Sequence, residues 1–158
     1  MTKIEIMDLI DRSLFADLGY LDADGRPAVR RVFCTWHKGI GRHLISTNTS
    51  ASHVKDLEHR ADACLYFADS DTFEGLCLTG QAHIRKTRDL KQLLWHPQDV
   101  KYYPGGIDDP DYCVIEFVAR SARFYRADGK GTLTEEEIAA FDEGRAYEDG
   151  YAKRHPGP

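Results

Sequence analysis

Two adjacent arginines, Arg30 and Arg31, lie within an otherwise apolar segment that is typical of a β-strand. Because successive side chains of a strand point to opposite faces, one of the two must point toward the buried side, where a charge needs a partner. Two interpretations stay open. Either one arginine faces solvent while the other forms a salt bridge, or a guanidinium clamps a phosphate or carboxylate with two hydrogen bonds.

A polar turn further along the chain favours the clamp. Hydroxyl and amide side chains precede a short helical segment, whose first turn also offers unpaired backbone N–H groups to an anion. The Arg30 strand precedes this turn, so both features can serve one ligand. The candidate anion-binding residues of the turn are Thr47, Asn48, Ser50, Ser52, His53 and Lys55, with Ser50 or Ser52 as the predicted helix N-cap.

Aromatic side chains flank a loop of proline and glycine at residues 104–106. They are Trp95, Tyr102, Tyr103 and Tyr112. Such residues either seal a core edge or a subunit seam, or form a wall on which a planar ring stacks.

Other chemistry finds little support. The sequence has no GxGxxG, Walker A or GxSxG motif, which argues against Rossmann, P-loop and α/β-hydrolase proteins. Its seven histidines lack metal-ligand spacing, so no metal site is predicted. No residue has a clear claim to be a general acid or base, and the catalytic residues stay unknown. The cysteines lie in apolar runs without CxxC spacing, which predicts reduced, buried thiols at Cys34, Cys64, Cys77 and Cys113.

Hydrophobic periodicity predicts a single, mainly β domain. Amphipathic segments are few, and regular β–α alternation is absent, so we expect a small antiparallel barrel or sandwich. The predicted elements are a helix at residues 4–15, hairpins at Asp24-Gly25 and residues 37–41, strands at residues 43–47, 63–67, 76–84 and 112–118, a turn at Arg120-Ser121 before a strand at residues 122–125, and helices capped by Thr87 and Thr134.

Charge and composition narrow the partners. The 158 residues include 21 basic and 26 acidic side chains, a net charge of −5, which argues against nonspecific binding to nucleic acid or an anionic membrane. No apolar run is long enough to cross a bilayer, and the N-terminus lacks a secretory signal pattern. We therefore expect a cytoplasmic protein.

Five segments together resemble a known family. GRPAVRRVF, STNTSASHVKDL, ADACLYF, LTGQAHI and LW followed by YYPGGIDDPDYCVIEF have the order and spacing of the pyridoxamine 5′-phosphate oxidase-like FMN-binding split barrels, closest to the general-stress-protein branch. The resemblance implies a mainly β, six-stranded antiparallel split barrel with peripheral helices over residues 1–130. An acidic C-terminal helix and a frayed tail would follow over residues 131–158. It further implies a homodimer with FMN sites at the interface.

The resemblance also assigns roles to individual residues. Arg30 would contact the FMN phosphate, together with the turn that follows Thr47-Asn48. The strand backbone would line the edge of the isoalloxazine ring, and aromatic side chains of either subunit would cover that ring. The residues implied in the last two roles are Arg31, Val32 and Phe33 for the strand, and Trp95 and Tyr112 for the cover.

Two departures from the family pattern change the expectation. His53 stands where a lysine is common, and a histidine is fully charged only when protonated, so phosphate affinity is expected to depend on pH. The pyridoxal-phosphate-binding residues and the C-terminal arginine motif of the true oxidase are not recognisable. Pyridoxamine phosphate oxidase activity itself is therefore not expected.

Three functions remain open at this point. The first is a homodimeric FMN-dependent oxidoreductase that acts on an unknown small substrate or electron donor. The second is a non-enzymatic module that binds a flavin in the same pocket. The third is haem binding, as in related split barrels, with an axial ligand among His37, His43, His83 and His96.

Overall fold

A computed structural model describes residues 1–142 and 146–147 as one curled antiparallel sheet with α-helices packed around it. The helices are α1 (Lys3–Arg12), α2 (Ser52–His59), α3 (Arg88–Leu94) and α4 (Glu135–Asp142). The strands are β1 (Phe15–Leu21), β2 (Pro27–Phe33), β3 (Trp36–Lys38), β4 (Arg42–Asn48), β5 (Asp62–Asp69), β6 (Glu74–Arg85), β7 (Tyr112–Arg126), β8 (Gly129–Leu133) and β9 (Ala146–Tyr147).

The sheet is split between β2 and β4. Its strand order is β2-β1-β5-β6-β7-β4-β3-β9, and β8 pairs with β7. β2 and β4 share no ladder hydrogen bonds, yet their residues come near each other where the sheet curls. The expected class, a mainly β antiparallel split barrel, is confirmed. The strands in the described residues exceed the expected six, because the short strands β3, β8 and β9 extend the sheet.

The core lies inside the curl of the sheet and is closed by α1. That helix begins with a capping box between Thr2 and Glu5 and buries one apolar face. Each fully buried aliphatic side chain of this kind contributes ~1.5–3 kcal/mol relative to an exposed one. The predicted helix at residues 4–15 is too long at its C-terminal end, because the Ser13 hydroxyl donates to Leu9 O at 2.6 Å and Phe15 already begins β1.

The predicted turn at Arg120-Ser121 is wrong, since β7 is one continuous strand. Opposite it, the register with β6 shifts between Thr79 and Gly80, so that Arg120 is the extra residue of a β-bulge. A Cβ atom at Gly80 would come within 1.9 Å of Val118 O, so only glycine allows this close approach. A polar pair that resembles a turn in the sequence is here a bend within a long strand.

The helix caps and the C-terminal boundary also show differences from expectation. α2 has Ala51 as its N-cap and no side-chain capping bond, so the assignment to Ser50 or Ser52 is wrong. The capping box of Thr134 with Glu137 at the start of α4 is confirmed. The predicted boundary at residues 130/131 falls inside β8, and α4 packs on the core through Ile138. The expected frayed tail lies almost entirely outside the described residues.

The cysteines divide into two classes. Cys34 and Cys113 are buried as predicted, whereas Cys64 and Cys77 are only half-buried, which corrects the prediction for that pair. All four lie in described residues, and none forms a disulfide bond.

Within the described residues, every helix is either too short or too polar to span a bilayer.

Candidate functional site

Arg30 and Arg31 lie on opposite faces of β2, as strand alternation requires. Arg31 pairs with Asp17 on the neighbouring strand β1, where Arg31 Nε lies 3.3 Å from Asp17 Oδ1 on an exposed face. Arg30 is placed beside Leu18 in the register, on the face turned toward the core and α2. The interpretation as an exposed, salt-bridged arginine therefore holds for Arg31. Arg30 is the arginine that has its partner on the inward face.

That partner is a histidine, which links three elements at the split. Arg30 Nη1 contacts His53 Nδ1, and His53 Nε2 lies 2.8 Å from Thr47 Oγ1. His53 is only 2% exposed, and its ring also lies near Tyr20. We call Arg30, Thr47 and His53 the Arg30 cluster. It joins β2, β4 and α2, which the sheet topology alone does not connect.

The contacts fix which hydrogen each group donates. A guanidinium can only donate, so His53 Nδ1 must accept from Arg30, and the neutral ring then carries its hydrogen on Nε2. Nε2–H donates to Thr47 Oγ1, so the threonine hydroxyl keeps its own hydrogen for another acceptor. The Arg30 cluster therefore presents a guanidinium and a hydroxyl, which are both donors and together carry one positive charge.

The charge state of His53 follows from its surroundings. Burial, and then the positive charge of Arg30, lower the pKa of His53 from 6.5 to about 4. At neutral pH the ring is neutral and acts as a hydrogen-bonding support for Arg30. A lysine at this position would add a second positive charge, whereas His53 orients the guanidinium of Arg30.

The next part of the turn is already bonded to a carboxylate of the same chain. Asn48 Nδ2 donates to Asp111 Oδ2 at 2.9 Å, and the Ser50 backbone N–H donates to Asp111 Oδ1 at 2.8 Å. These bonds, led by the one from Asn48, lower the pKa of Asp111. Two donors expected to bind an external anion are thus engaged by an internal one.

Ser52 and Lys55 do not join the Arg30 cluster. Both are exposed on α2, and Lys55 lies two residues beyond His53, a rotation that places its side chain on the other side of the helix. Only Thr47 and His53 of the predicted turn residues meet Arg30.

A groove leads away from the Arg30 cluster along the split. A cavity of about 150 Å³ lies at the split, and its lining residues are Phe15, Arg30, Arg31, Val32, Phe33, Ser46 and Thr47. It adjoins a cavity of about 510 Å³ through the shared residues Phe33 and Ser46. The larger cavity is further lined by Thr35, Asn48, Asp99, Lys101, Tyr102 and Tyr103.

The aromatic residues form a stacked group behind this groove. Tyr112 lies 4.8 Å from Tyr103 and 5.3 Å from Trp95, measured between ring centroids. Tyr112 is 1% exposed, and its hydroxyl donates to Lys91 O at 3.2 Å, so it cannot cover a ring as expected. It instead supports Tyr103, which reaches the groove, while Tyr102 beside it is 63% exposed.

The sequence interpretation left several groove residues unassigned. The side chains of Ser46 and Thr47 point to opposite faces of β4. The Lys101 ammonium lies 5.0 Å from the centroid of the Tyr102 ring. The tyrosine pair beside the proline–glycine loop was the only signal for this wall. Nothing in the sequence marks Ser46 or Thr35, since they come together only through the curl of the sheet.

Two of the haem-ligand candidates lie in the interior. His37 bonds Asp11 Oδ1 and Gly39 O, each at 2.6 Å, and is 1% exposed. His43 is equally buried, contacts Ile40 O at 2.8 Å through Nε2 and stacks on His37. Neither ring can reach an external iron. His83 and His96 are partly exposed.

Comparisons with solved structures agree with this fold. A protein related to general stress protein 26 of the pyridoxinephosphate oxidase family, from Clostridium acetobutylicum, is 35% identical with a TM-score of 0.77, covering 86% of this chain and 96% of that one. An FMN-binding, pyridoxamine 5′-phosphate oxidase-related protein from Nostoc punctiforme is 11% identical with a TM-score of 0.63, covering 82% and 94%. A heme binding protein from Mycobacterium smegmatis is 21% identical with a TM-score of 0.70, covering 89% and 61%.

The last two similarities are of fold alone, whereas the first also extends to sequence. No curated protein sequence matches the chain. The family model described as pyridoxamine 5′-phosphate oxidase like matches residues 5–142, which include every residue of the Arg30 cluster and the groove. The chain therefore belongs to the pyridoxamine 5′-phosphate oxidase-like family, in the branch of general stress protein 26.

Proposed function

We propose that this chain binds FMN, with the phosphate at the Arg30 cluster and the ring system in the adjoining groove. The observation that carries the proposal is that a neutral His53 contacts both Arg30 and Thr47, which come from two strands that do not pair with each other. A guanidinium and a hydroxyl that both donate suit a phosphate group. Both stand at one end of an elongated groove.

The groove fits the remainder of such a ligand. Its larger cavity of about 510 Å³ falls in the range of roughly 300–1,000 Å³ that small-molecule sites occupy. Phe33 and Tyr103 offer aromatic surface to a planar ring, and Ser46 and Thr35 offer hydroxyl groups to ring heteroatoms. When bound, FMN supplies hydride or electron transfer, while the chain binds the cofactor, orients it and limits its contact with water.

We further propose that a second copy of the chain covers this groove. Large apolar side chains are exposed around it, among them Phe33 at 47% and Tyr102 at 63%. Phe33 ends the edge strand β2, which has β1 as its one hydrogen-bonded neighbour in the described sheet. A homodimer that buries this rim would shield the ring of the ligand and cover apolar surface. The active form would then be a cytoplasmic dimer with two flavin sites.

The test of the proposal compares FMN with riboflavin, which has the same ring system and lacks the phosphate. We expect FMN to bind with a Kd below ~50 µM and riboflavin to bind at least ~30-fold more weakly, measured by quenching of flavin fluorescence. Equal affinities would place the phosphate away from Arg30. Failure of both to bind would overturn the flavin proposal altogether, and a Soret shift on haem titration would then favour the haem alternative.

An oxidoreductase differs from a binding module in turnover. We propose the oxidoreductase, since the larger cavity is also lined by Asp99 and Lys101, whose charges can orient a small polar reactant at the flavin. The FMN-loaded protein is expected to oxidise NADH or NADPH catalytically with oxygen or a quinone as acceptor. Stoichiometric FMN binding without turnover would support the module instead. A monomeric mass by light scattering with FMN bound would contradict the shared site.

A further inference from the structure

A second polar group lies on the side of the sheet that faces away from the core. Cys64 on β5 and Cys77 on β6 both point to this outer face and are half-buried. Their register partners on the adjacent strand are Thr79 and Tyr66, so the two cysteines are diagonal neighbours. Cys64 and Cys77 line neither cavity of the flavin groove, and the inference below does not rest on FMN.

The two thiols are close enough to influence each other, and the sheet makes room for them. Each of Cys64 and Cys77 shifts the pKa of the other. Gly19 lies opposite Cys64 on β1, and a Cβ atom there would come within 2.6 Å of Cys64 Sγ. A side chain at position 19 would therefore push the Cys64 thiol aside.

The surroundings favour a thiolate on one of the two sulfurs. Arg123 is the register partner of Cys77 on β7 and lies beside it on the outer face. Thr79 Oγ1 lies 3.9 Å from Cys77 Sγ. The hydrogen bond from Cys64 is the largest influence, and with these two neighbours it lowers the pKa of Cys77 to about 6. Cys64 keeps its proton, because donation to the neighbouring sulfur and burial both raise its pKa.

Two tyrosines also flank the pair on this face. Tyr66 and Tyr125 share a hydrogen bond of 2.7 Å between their hydroxyl groups across β6. That bond, together with burial, raises the pKa of Tyr66 to about 12. Gly75 lies between the two rings, where a Cβ atom would come within 2.4 Å of Tyr66 Oη. Acids on this face include Asp62, two residues before Cys64 on β5, and Asp17 on β1, which pairs with Arg31.

We propose that Cys77 is a redox-reactive thiolate that reduces hydroperoxides, and that Cys64 is its resolving thiol. Partial exposure, a neighbouring guanidinium and an adjacent second thiol are the features that distinguish reactive cysteines from structural ones. Cys34 and Cys113 are 4% and 0% exposed and serve as unreactive references within the same chain.

The chemistry balances with one hydroperoxide. The Cys77 thiolate attacks the terminal oxygen, the O–O bond breaks, and the alkoxide leaves and takes up a proton as an alcohol. The Cys64 sulfur then attacks the sulfenic acid on Cys77, the S–S bond forms, and the hydroxyl group leaves with the Cys64 proton as water. Two thiols are oxidised to a disulfide, and the hydroperoxide is reduced to an alcohol and water. Closing the bond needs β5 and β6 to shift, because diagonal Cα atoms lie ~7–8 Å apart in such sheets. Small thiols should therefore reduce it readily.

The experiment treats the full-length protein with one equivalent of cumene hydroperoxide under native conditions, with and without FMN, followed by peptide mass spectrometry. We expect a Cys64–Cys77 disulfide within one chain, formed at least ~10-fold faster than any oxidation of Cys34 or Cys113. Cys64→Ser should stop at a sulfenic acid on Cys77 that dimedone traps, and Cys77→Ser should not react. The serine variants retain the size and the hydrogen-bonding character of the side chain, and circular dichroism checks that they fold.

Each alternative outcome overturns a named part of the proposal. Equal oxidation of wild type and Cys77→Ser removes Cys77 as the reactive thiolate. A dimedone adduct on wild-type Cys77 without a disulfide, or a disulfide between two chains, removes Cys64 as the resolving thiol.

Discussion

The ends and the middle of the segment from Thr47 to His53 carry similar polar side chains, but the structure uses them in opposite ways. At the two ends, Thr47 and His53 orient Arg30, and the guanidinium and the threonine hydroxyl keep hydrogens to donate. In the middle, Asn48 and Ser50 donate to Asp111, which lies 61 residues further along the chain from Ser50. A run of donors is therefore an anion site only where the fold provides no internal acceptor.

The difference also has an electrostatic side. The Arg30 cluster carries the single positive charge of Arg30, because the buried His53 stays neutral at pH 7. Around Asn48 and Ser50 the carboxylate of Asp111 makes the charge negative, which repels a phosphate. The comparison thus assigns phosphate binding to the ends of the turn, whereas its middle supports the fold and adds Asn48 to the lining of the larger cavity. The following variants test that division in order of decreasing effect on FMN binding.

Arg30→Ala should have the largest effect. Removing the guanidinium eliminates the charge-assisted hydrogen bonds to the phosphate, so we expect FMN affinity to fall ~100-fold and riboflavin affinity to change little. The matched control is Arg31→Ala, which removes a neighbouring arginine that also lines the small cavity but pairs with Asp17 on the other face of β2, so the loss of FMN affinity should stay below ~5-fold. Fluorescence titration measures both. Similar losses in the two variants would mean that nearby positive charge alone, and not the position of Arg30, holds the ligand.

His53→Gln should separate orientation from charge. Glutamine can accept from Arg30 and donate to Thr47, so FMN affinity at pH 7.5 should stay within ~5-fold of wild type. His53→Ala, which supports neither group, should lose ~10-fold or more.

Wild type and His53→Gln also test the pKa of His53 without any ligand. The folded-state pKa is depressed to about 4 from 6.5, so the unfolded chain binds the proton first as the pH falls. Wild-type stability should be full above pH 6.5 and should fall between pH 6.5 and pH 4, by up to ~3 kcal/mol relative to His53→Gln. Urea unfolding at several pH values measures this difference. Parallel stability curves for the two proteins would show that His53 is not held neutral by burial and Arg30.

Much of the fold could be predicted from the residues, because the signals were local. Asp24-Gly25 defines the first hairpin, and alternation along Leu76 to Ala82 marks a strand with one buried face. The turn predicted at Arg120-Ser121 failed for a long-range reason, since the bulge there depends on Gly80 of a neighbouring strand. Sequence pattern along one strand cannot report what the next strand permits.

The candidate site divides in the same way. Alternation on β2 predicts that either Arg30 or Arg31 points inward, but it does not identify which one meets a partner. The burial of Tyr112 behind Tyr103, and the capture of Asn48 by Asp111, depend on contacts between distant segments. Residue type was therefore a good guide to which groups can bind an anion, and a poor guide to which groups are available to do so.

Asp111→Asn should have the smallest effect on the ligand and a clear effect on the fold. The amide nitrogen that replaces one carboxylate oxygen faces the Asn48 donor, so the turn loses an acceptor and Tm should fall by ~3 °C. FMN affinity should change less than ~3-fold, because the Arg30 cluster is separate from this contact. Asp108→Asn is the control in the same loop, since its pair with Arg88 is exposed on both sides and should contribute little to stability. A tenfold gain or loss of FMN affinity in Asp111→Asn would show that the phosphate lies near the middle of the turn, and the division between its ends and its middle would not hold.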